Sequence, residues 1–386
     1  MSTFREIATK IIRKLVSPST RFELRESAAW LREQLDRACL WRWEIVRLPQ
    51  RHGSPHEIVY VGRKAHRVEL ANTLPTISGV FDTNQANATQ SSQTVFVSEM
   101  PIPGALCVPQ FLNTIIPLGR PIEAILAEYD DKLHRSLLKQ RLRYHLRQAR
   151  STEEVDQAYR DMLHPFAAAR HGNSAVQRSS EAVRRSALGY GRLDFLLSED
   201  EVVGCMLGNE SVRKGKRYWV TDRCGYPEAV YTDLKRFGEI NSINHHLAIE
   251  HAIENGFDYC ELGRCFANPD NGLLQHKRHR GAKLDMIGLR GYGYFHIRLP
   301  RVGAAQFLWD TPLFAVENRK LTLHLGLPDG IDDEEFSKRY RQMGFGGLFK
   351  IYLHCARVLG ERVPATLHDL YCHQNPPPIV KTIPST

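Results

Sequence analysis

The most constraining feature of this chain is the succession of patterns along residues 152–263. Residues 152–171 repeat apolar side chains at helical spacing, with Glu153 and Glu154 in the first turn, where the helix dipole favours acids. Residues 179–189 read as a second helix. Three strands follow at 192–198, 202–210 and 216–222, the first two joined by a tight turn at Glu199-Asp200-Glu201. A long loop runs to Ile240. Residues 241–255 read as a helix capped by Asn241 or Ser242 and stopped by Gly256, and residues 257–263 as a fourth strand. This order predicts a mixed sheet, antiparallel hairpins with one βαβ crossover.

The flanks are less regular. Residues 20–125 read as a mixed α/β unit, with a helix at 21–39 (Leu24, Ala28, Leu31, Leu35) and strands at 41–48, 57–61 and 67–74. Residues 83–94 are polar and aperiodic, a loop by composition, and Asn87-Ala88-Thr89 fits a glycosylation sequon that nothing else in the chain supports. Proline recurs through 101–121, which reads as a hinge. Residues 122–148 read as one long charged helix on Ile125, Tyr129, Leu133 and Leu137. Past Asp285 the expectations are strands at 286–289 and 294–299, helices at 332–342 and 345–359, and a disordered proline-rich tail from Gln374. The domains expected are 1–120, 121–297 and 298–386.

Composition bounds the function class. A chain of 386 residues, 42% hydrophobic and 25% charged, is of the soluble globular kind and can bury a core without disulfides. Its eight cysteines form no C-x-x-C pair, which argues against a zinc ribbon or a disulfide framework and for free thiols in a reducing cytoplasm. No apolar run reaches bilayer-spanning length, and no signal peptide is expected. The formal charge of +9 suits anionic partners (phosphates, acyl-CoA, acidic sugars, RNA), or solubility alone. Basic residues concentrate at 139–150 (KQRLRYHLRQAR) and 276–283 (HKRHRGAK). In residues 1–20, Ile7, Ile11, Ile12, Leu15 and Val16 share one helical face opposite Arg5, Lys10, Arg13 and Lys14. That segment either touches an anionic membrane surface or docks on its own domain.

The strand order at 152–263 is that of a GNAT domain, and the local sequence resembles the FemAB-like (Fem-type) acyltransferases within that superfold. The segments that carry the resemblance are LLKQRLRYHLRQAR, HPFAAARHG, LDFLLSEDEVVGCMLG, YWVTD, INHHLAIEHAIENGFDYCELGR and GLLQHKRHRGAKL, within about residues 105–290. In that family a helix ending in Gly precedes a strand ending in Asp/Glu-Leu-Gly, then a Lys and a Gly four residues on. Here these are Gly256, Glu261-Leu262-Gly263, Lys277 and Gly281. The resemblance implies an α/β (α+β) fold, a GNAT-like mixed sheet flanked by helices. Residues 20–125 are then either a degraded first unit of a tandem or an unrelated one. It implies transfer of an acyl or aminoacyl group from acyl-CoA, acyl carrier protein or aminoacyl-tRNA to an amine or hydroxyl of a cell-envelope, polysaccharide or small-molecule acceptor. It implies no metal and no tightly bound cofactor. The alternatives are an aminoacyl-tRNA-dependent peptide ligase and a non-catalytic module for RNA or an anionic polymer.

Direct transfer needs two anchored substrates, a proton acceptor and donors for the developing oxyanion. Glu261 is the first candidate for base or anchor; the alternative is a loop cap or a partner of Arg264. Lys277 would hold an anionic donor or the oxyanion, or is one charge in a solvated run. Arg143 and Arg147, on the basic helix, suit phosphate or face solvent. His246 shares a face with Glu250 and is a base candidate, with His245 and His251 nearby; helix packing is the competing reading. Tyr218, Asp222, Tyr226 and Tyr231 surround a loop expected to close over the site, and Gly263 and Arg264 follow Glu261 as substrate contacts. Arg341-Gln-Met-Gly344-Phe-Gly346 matches the R-x-x-G-x-G loop of CoA-binding GNAT enzymes, although a helix is expected before it, where that loop needs a strand. At 223–238, where that loop is due, it is missing, which favours a bulkier donor than acetyl-CoA.

Overall fold

The computed structural model describes residues 16–48, 55–77, 92–172, 178–356, 364–372, 374 and 376–384. The apolar face at Ile7, Ile11, Ile12 and Leu15 and the sequon at Asn87 lie outside them. The first elements among the described residues are α1 (Pro18–Ala38), β1 (Trp43–Leu48), β2 (Glu57–Arg63), α2 (Arg67–Thr73), β3 (Thr94–Ser98), β4 (Leu106–Pro109) and β5 (Phe111–Pro117). The middle holds α3 (Ile122–Leu126), α4 (Asp131–Gln140), β6 (Tyr144–Gln148), α5 (Thr152–Ala158), α6 (His164–His171), α7 (Ser180–Gly189) and β7 (Gly191–Ser198). Next come β8 (Glu201–Arg213), β9 (Lys216–Gly225), α8 (Glu228–Tyr231), α9 (Leu234–Glu254), β10 (Tyr259–Phe266), α10 (Gly272–Arg278) and β11 (Lys283–Asp285). The last part is β12 (Tyr294–Arg298), α11 (Ala304–Asp310), β13 (Leu313–Glu317), β14 (Lys320–Leu327), α12 (Asp333–Tyr340), β15 (Lys350–Cys355), α13 (Ala365–Tyr371) and β16 (Ile379–Pro384). The chain forms two compact units: Met1–Arg25, Ile115–Gly263 and His279–Gly281 make the first, and Glu26–Thr114, Arg264–Arg278 and Ala282–Thr386 the second.

The sheet of the first unit runs β5-β10-β9-β8-β7-β6. Strands β6 to β9 are antiparallel, and β10 returns parallel to β9 through the crossover helix α9. The two hairpins turn on pairs of left-handed residues, Glu199-Asp200 and Lys214-Gly215, the backbone that two-residue loops between twisted strands require. Strand β7 is buried from Leu193 to Leu197, which is why Phe195-Leu196-Leu197 is apolar on both faces, and its one buried acid, Asp194, is held by Arg192 at 2.6 Å. Leu193, Phe195, Cys205 and Leu207 pack with Val155, Met162, Leu163 and Val183 from the helices that precede the strand. Each such side chain contributes about 1.5–3 kcal/mol through removal from water. The strand order is that of a GNAT domain.

The long helix expected at 122–148 is three pieces. Asp130 caps a new helix by accepting from the Lys132 N–H at 3.1 Å, and YHLRQ pairs with β7 as edge strand β6. Leu, Arg and Gln favour helix locally, but sheet pairing overrides them. Helix α9 begins at Leu234, not Asn241. Asp233 is its cap, accepting from the N–H groups of Lys235 and Arg236, each at 3.0 Å. Asn241 and Ser242 therefore lie inside the helix. The loop expected before it contains α8.

The second unit holds two sheets, β1-β2-β3-β12-β4 and β13-β14-β15-β16. In the first, an antiparallel pair β1-β2 is followed by α2 and by β3 parallel to β2. In the second, the pair β13-β14 is followed by α12 and by β15 parallel to β14. Both repeat the order β8-β9-α9-β10 of the first unit, hairpin, helix, parallel strand. The fold class is thus α+β, mixed sheets flanked by helices, consistent with tandem GNAT-like units.

Five further expectations fail here. Residues 67–74 form helix α2 rather than a strand, because Leu70 and Leu74, four apart, both face the core. Residues 286–289 are a turn, in which Asp285 Oδ1 accepts from the N–H groups of Met286 and Ile287 at 2.6 and 3.1 Å. The helix expected at 345–359 is strand β15, and the tail expected to be disordered pairs with it as β16. The proline-punctuated stretch 101–121 carries β4 and β5. The Arg341–Gly346 motif has α12 before it and β15 after it, the reverse of the strand–loop–helix context a phosphate loop needs.

Candidate functional site

Among the described residues β9 and β10 pair only over Tyr218–Val220 and Tyr259–Glu261, while β9 runs on, paired with β8, to Gly225. That pairing ends at the carboxyl ends of two parallel strands, the place where open α/β sheets take ligands. A bulge follows on β9. Leu207 lies opposite Arg223 and Gly208 opposite Thr221, so Asp222 is the extra residue. Bulges re-aim side chains beside active sites. The Asp222 carboxylate accepts from Arg178 at 2.6 Å, and burial disfavours the charge of Arg223 next to it.

Segment 279–281 is anchored on residues 128–130. The Asp130 N–H donates to the His279 carbonyl at 2.9 Å. Gly281 has φ +66° and lies so close to Glu128 that a Cβ at 281 would meet Glu128 Cβ at 2.7 Å. This strap turns Arg280 inward. Its guanidinium is 2% exposed and donates to Ser242 Oγ at 2.9 Å. Burial draws its pKa down to about 10, and Tyr129, Tyr226 and Cys224 lie close enough to act on its charge. The guanidinium therefore stands beside the stretch of β9 that β10 no longer pairs. The run HKRHRGAK gave no hint that one of its arginines points inward; the only local signal is the glycine that follows.

Glu261 closes the last β9–β10 pair. Its carboxylate is committed to a buried ion pair with Arg213, whose guanidinium lies on the Tyr218 and Phe22 rings at 4.7 and 4.8 Å. Tyr218 in turn stacks on Tyr259 at 4.8 Å. Arg264, the partner expected for Glu261, lies over the Tyr292 ring at 4.5 Å. Gly263 takes φ +80°, a backbone only glycine adopts freely. Lys277 belongs to the second unit, on α10. It is buried, with its ammonium donating to the Arg264 carbonyl at 3.3 Å, so it is not one of a solvated run.

His246 lies in the middle of α9, buried, with Nε2 3.1 Å from Glu250 and the Tyr129 ring edge-on at 6.2 Å. Arg141 holds the same carboxylate at 2.7 Å. Burial pushes the Glu250 carboxyl up, but hydrogen bonds from His246 and Arg141 outweigh it and bring it to about 2. His246 Nδ1 and the Tyr129 hydroxyl are buried and have no hydrogen-bond partner among the described residues. The other histidines do not join it. His245 bonds to the Asn241 carbonyl at 2.9 Å, and His251 packs on Trp219 at 4.7 Å, burial drawing its pKa down to about 4.

Tyr226 is a core phenol, not a lid residue. It donates to Asn241 Oδ1 at 2.8 Å, accepts from Asn244 at 3.2 Å and sits against Phe166 and Phe237, and burial raises its pKa well above the ordinary value. Tyr231 ends the short helix α8. Arg143 is exposed in a turn. Arg147 is on β6, ion-paired with Glu154 at 2.5 Å and over Phe195 at 4.8 Å. The shared basic helix face expected for these two does not form.

One charged cluster of the second unit was not visible in the sequence. Strands β2 and β3 pair through Val61 and Ser98, and the Glu99 N–H then donates to the Val61 carbonyl at 3.1 Å. Beyond that point the Glu99 carboxylate accepts from Tyr60 Oη at 2.6 Å and from Arg63 N and Nε, each at 2.7 Å, with His66 Nδ1 at 3.0 Å. Arg63 also donates to Glu33 at 2.5 Å. Burial opposes the Glu99 charge, but these donors hold its carboxyl at about 2. The end of the β2–β3 pairing is thus occupied by the protein's own carboxylate.

No family model and no curated protein matches the chain. Several solved structures are similar. FemX shares 11% identity at a TM-score of 0.38, over 69% of this chain and 91% of its own. L-PGS from Bacillus licheniformis shares 11% identity at 0.34, over 67% and 84%. A GCN5-related N-acetyltransferase from Anabaena variabilis shares 10% identity at 0.29, over 74% and 72%. Likeness at this level carries no inference about activity.

Proposed function

We propose that the first unit is a transferase that moves an acyl or aminoacyl group from a phosphate-bearing thioester or ester donor to an amine or hydroxyl acceptor. The observation that carries this reading is the end of the β9–β10 pairing past Val220 and Glu261, with the buried Arg280 guanidinium near the stretch of β9 that runs on alone, in a GNAT strand order. A buried cation at the open end of a parallel pair suits a phosphate of the donor. The acceptor attacks the donor carbonyl, a C–N or C–O bond forms, and the C–S or C–O bond to the carrier breaks. The acceptor's proton leaves to a base, and the carrier's thiol or hydroxyl regains one. His246 is the base in this reading: Glu250 fixes its Nε2, Arg141 fixes Glu250, and Nδ1 remains to take the proton. Glu261 acts through Arg213 as a positioning residue.

The test is transfer, read by mass spectrometry, with acyl-CoA, acyl carrier protein and aminoacyl-tRNA donors against lipid-amine, sugar and peptide acceptors. Turnover with at least one pair is expected, with a loss of about 10²–10⁴-fold in His246→Ala. No transfer with any pair contradicts the reading. Activity destroyed by ribonuclease identifies the donor as tRNA.

A further inference from the structure

Two buried phenols of the first unit are anchored through their oxygens. Tyr144 donates to Glu239 at 2.9 Å and Tyr226 to Asn241 at 2.8 Å. Tyr129 is buried as deeply, but its hydroxyl has no hydrogen-bond partner among the described residues. Burying a hydroxyl unpaired is destabilising, and phenylalanine would fill the same place without that cost. The ring is explained by packing; the oxygen is not.

The neighbours of that oxygen point to chemistry. Tyr129 lies between α3 and α4, and its backbone is fixed on both sides. Its N–H donates to the Leu126 carbonyl at 3.0 Å, and the N–H of Asp130 holds the strap at His279. The Arg280 guanidinium on that strap lies close enough to act on the phenol, and the phenol on it. The His246 ring stands edge-on at 6.2 Å, and its Nδ1 is likewise buried without a partner among the described residues. Tyr129 and His246 are 5% and 3% exposed, so two unpaired polar atoms and a guanidinium gather in one dry place. Burial raises the phenol's pKa above its ordinary value, so Tyr129 keeps its proton wherever a histidine works as a base. A phenol held in that form donates a hydrogen bond and does not exchange its proton.

We propose that Tyr129 is a catalytic residue of the transfer assigned to this unit, its hydroxyl donating to the oxyanion that forms on the donor carbonyl. The proposal rests on that assignment, in which His246 takes the acceptor's proton and Arg280 meets the donor's phosphate. As the acceptor attacks, the carbonyl electron pair moves onto oxygen and the Tyr129 O–H bond points at it. The pair returns when the C–S or C–O bond to the carrier breaks, and the phenol proton stays on Tyr129 throughout. A neutral donor in a dry site favours a charge that exists only in the transition state, so the effect falls on kcat.

The test is Tyr129→Phe in the full chain, with a donor–acceptor pair that wild type turns over, read by mass spectrometry beside a thermal melt. The expected result is a kcat lower by about 10²–10³-fold with KM within about twofold. The thermal midpoint should be unchanged or raised, because the oxygen removed has no protein partner. An unchanged kcat overturns the proposal and leaves the transfer assignment standing. A loss confined to KM puts the hydroxyl on the donor's phosphate and overturns it too. A lowered midpoint, whatever kcat does, shows a structural bond and has the same consequence. If wild type turns over no pair at all, the proposal falls together with the assignment beneath it.

Discussion

Arg280 and Arg213 are both buried arginines, and their surroundings give them different work. Arg213 is matched by Glu261 and held between two rings, so it is part of the scaffold. Replacing it by Ala leaves a carboxylate buried without its cation, which costs about 3–5 kcal/mol. Chemical denaturation should register that loss, and Arg213→Ala/Glu261→Gln should recover much of it. Arg280 touches a hydroxyl and lies near the stretch of β9 that β10 no longer pairs. Arg280→Gln should raise the KM for a phosphate-bearing donor by ten- to a hundredfold, the equivalent of about 1.5–3 kcal/mol for a charged hydrogen bond. A smaller effect on kcat is expected. An unchanged KM removes Arg280 from the binding site.

Among the elements, the strap 279–281 and helix α9 govern the site. Gly281→Ala forces a side chain into a left-handed backbone against Glu128. It should cost more than about 1 kcal/mol in stability and lower activity by displacing Arg280. Asp233→Ala removes the cap of α9 and should cost about 1 kcal/mol, read from the thermal midpoint, without moving KM. These elements also mark how far the sequence could be read. The turn at Glu199-Asp200 and the stop at Gly256 were legible because each rests on local backbone preference. The split of 122–148 was not, because YHLRQ becomes a strand only when β7 lies beside it. The start of α9 was missed for a related reason: Asp233 is an ordinary cap signal, but the turn at 228–231 interrupts the pattern before it.

At the scale of the molecule, several buried groups set the response to acid. His324 and His354 contact each other at 3.0 Å, and burial draws them to about 3 and about 4. Between the ordinary histidine value of about 6.5 and those values the unfolded chain binds more protons, so stability falls as pH falls through that window. Glu99 and Glu250, held at about 2, contribute stability that is complete above the ordinary carboxylate range and is lost as pH falls towards 2. The urea midpoint should therefore decline continuously on acidification from about pH 6.5. A midpoint that stays level down to about pH 4 would contradict the histidine contribution. His354→Gln should flatten the upper part of the curve.

The sequence by itself determined the order of helices and strands from residue 152 to 263 and, through that order, the α+β sheet with a single parallel return. Periodicity, turn residues and helix stops are local, and they act the same way wherever the segment ends up. Only the tertiary structure decided which charges meet. Glu261 with Arg213, Glu99 with Arg63, and Arg280 with Ser242 are each joined across at least thirty-six positions of chain. No spacing rule reaches that far, because such pairs are selected by the desolvation of charge once the sheet has closed around it.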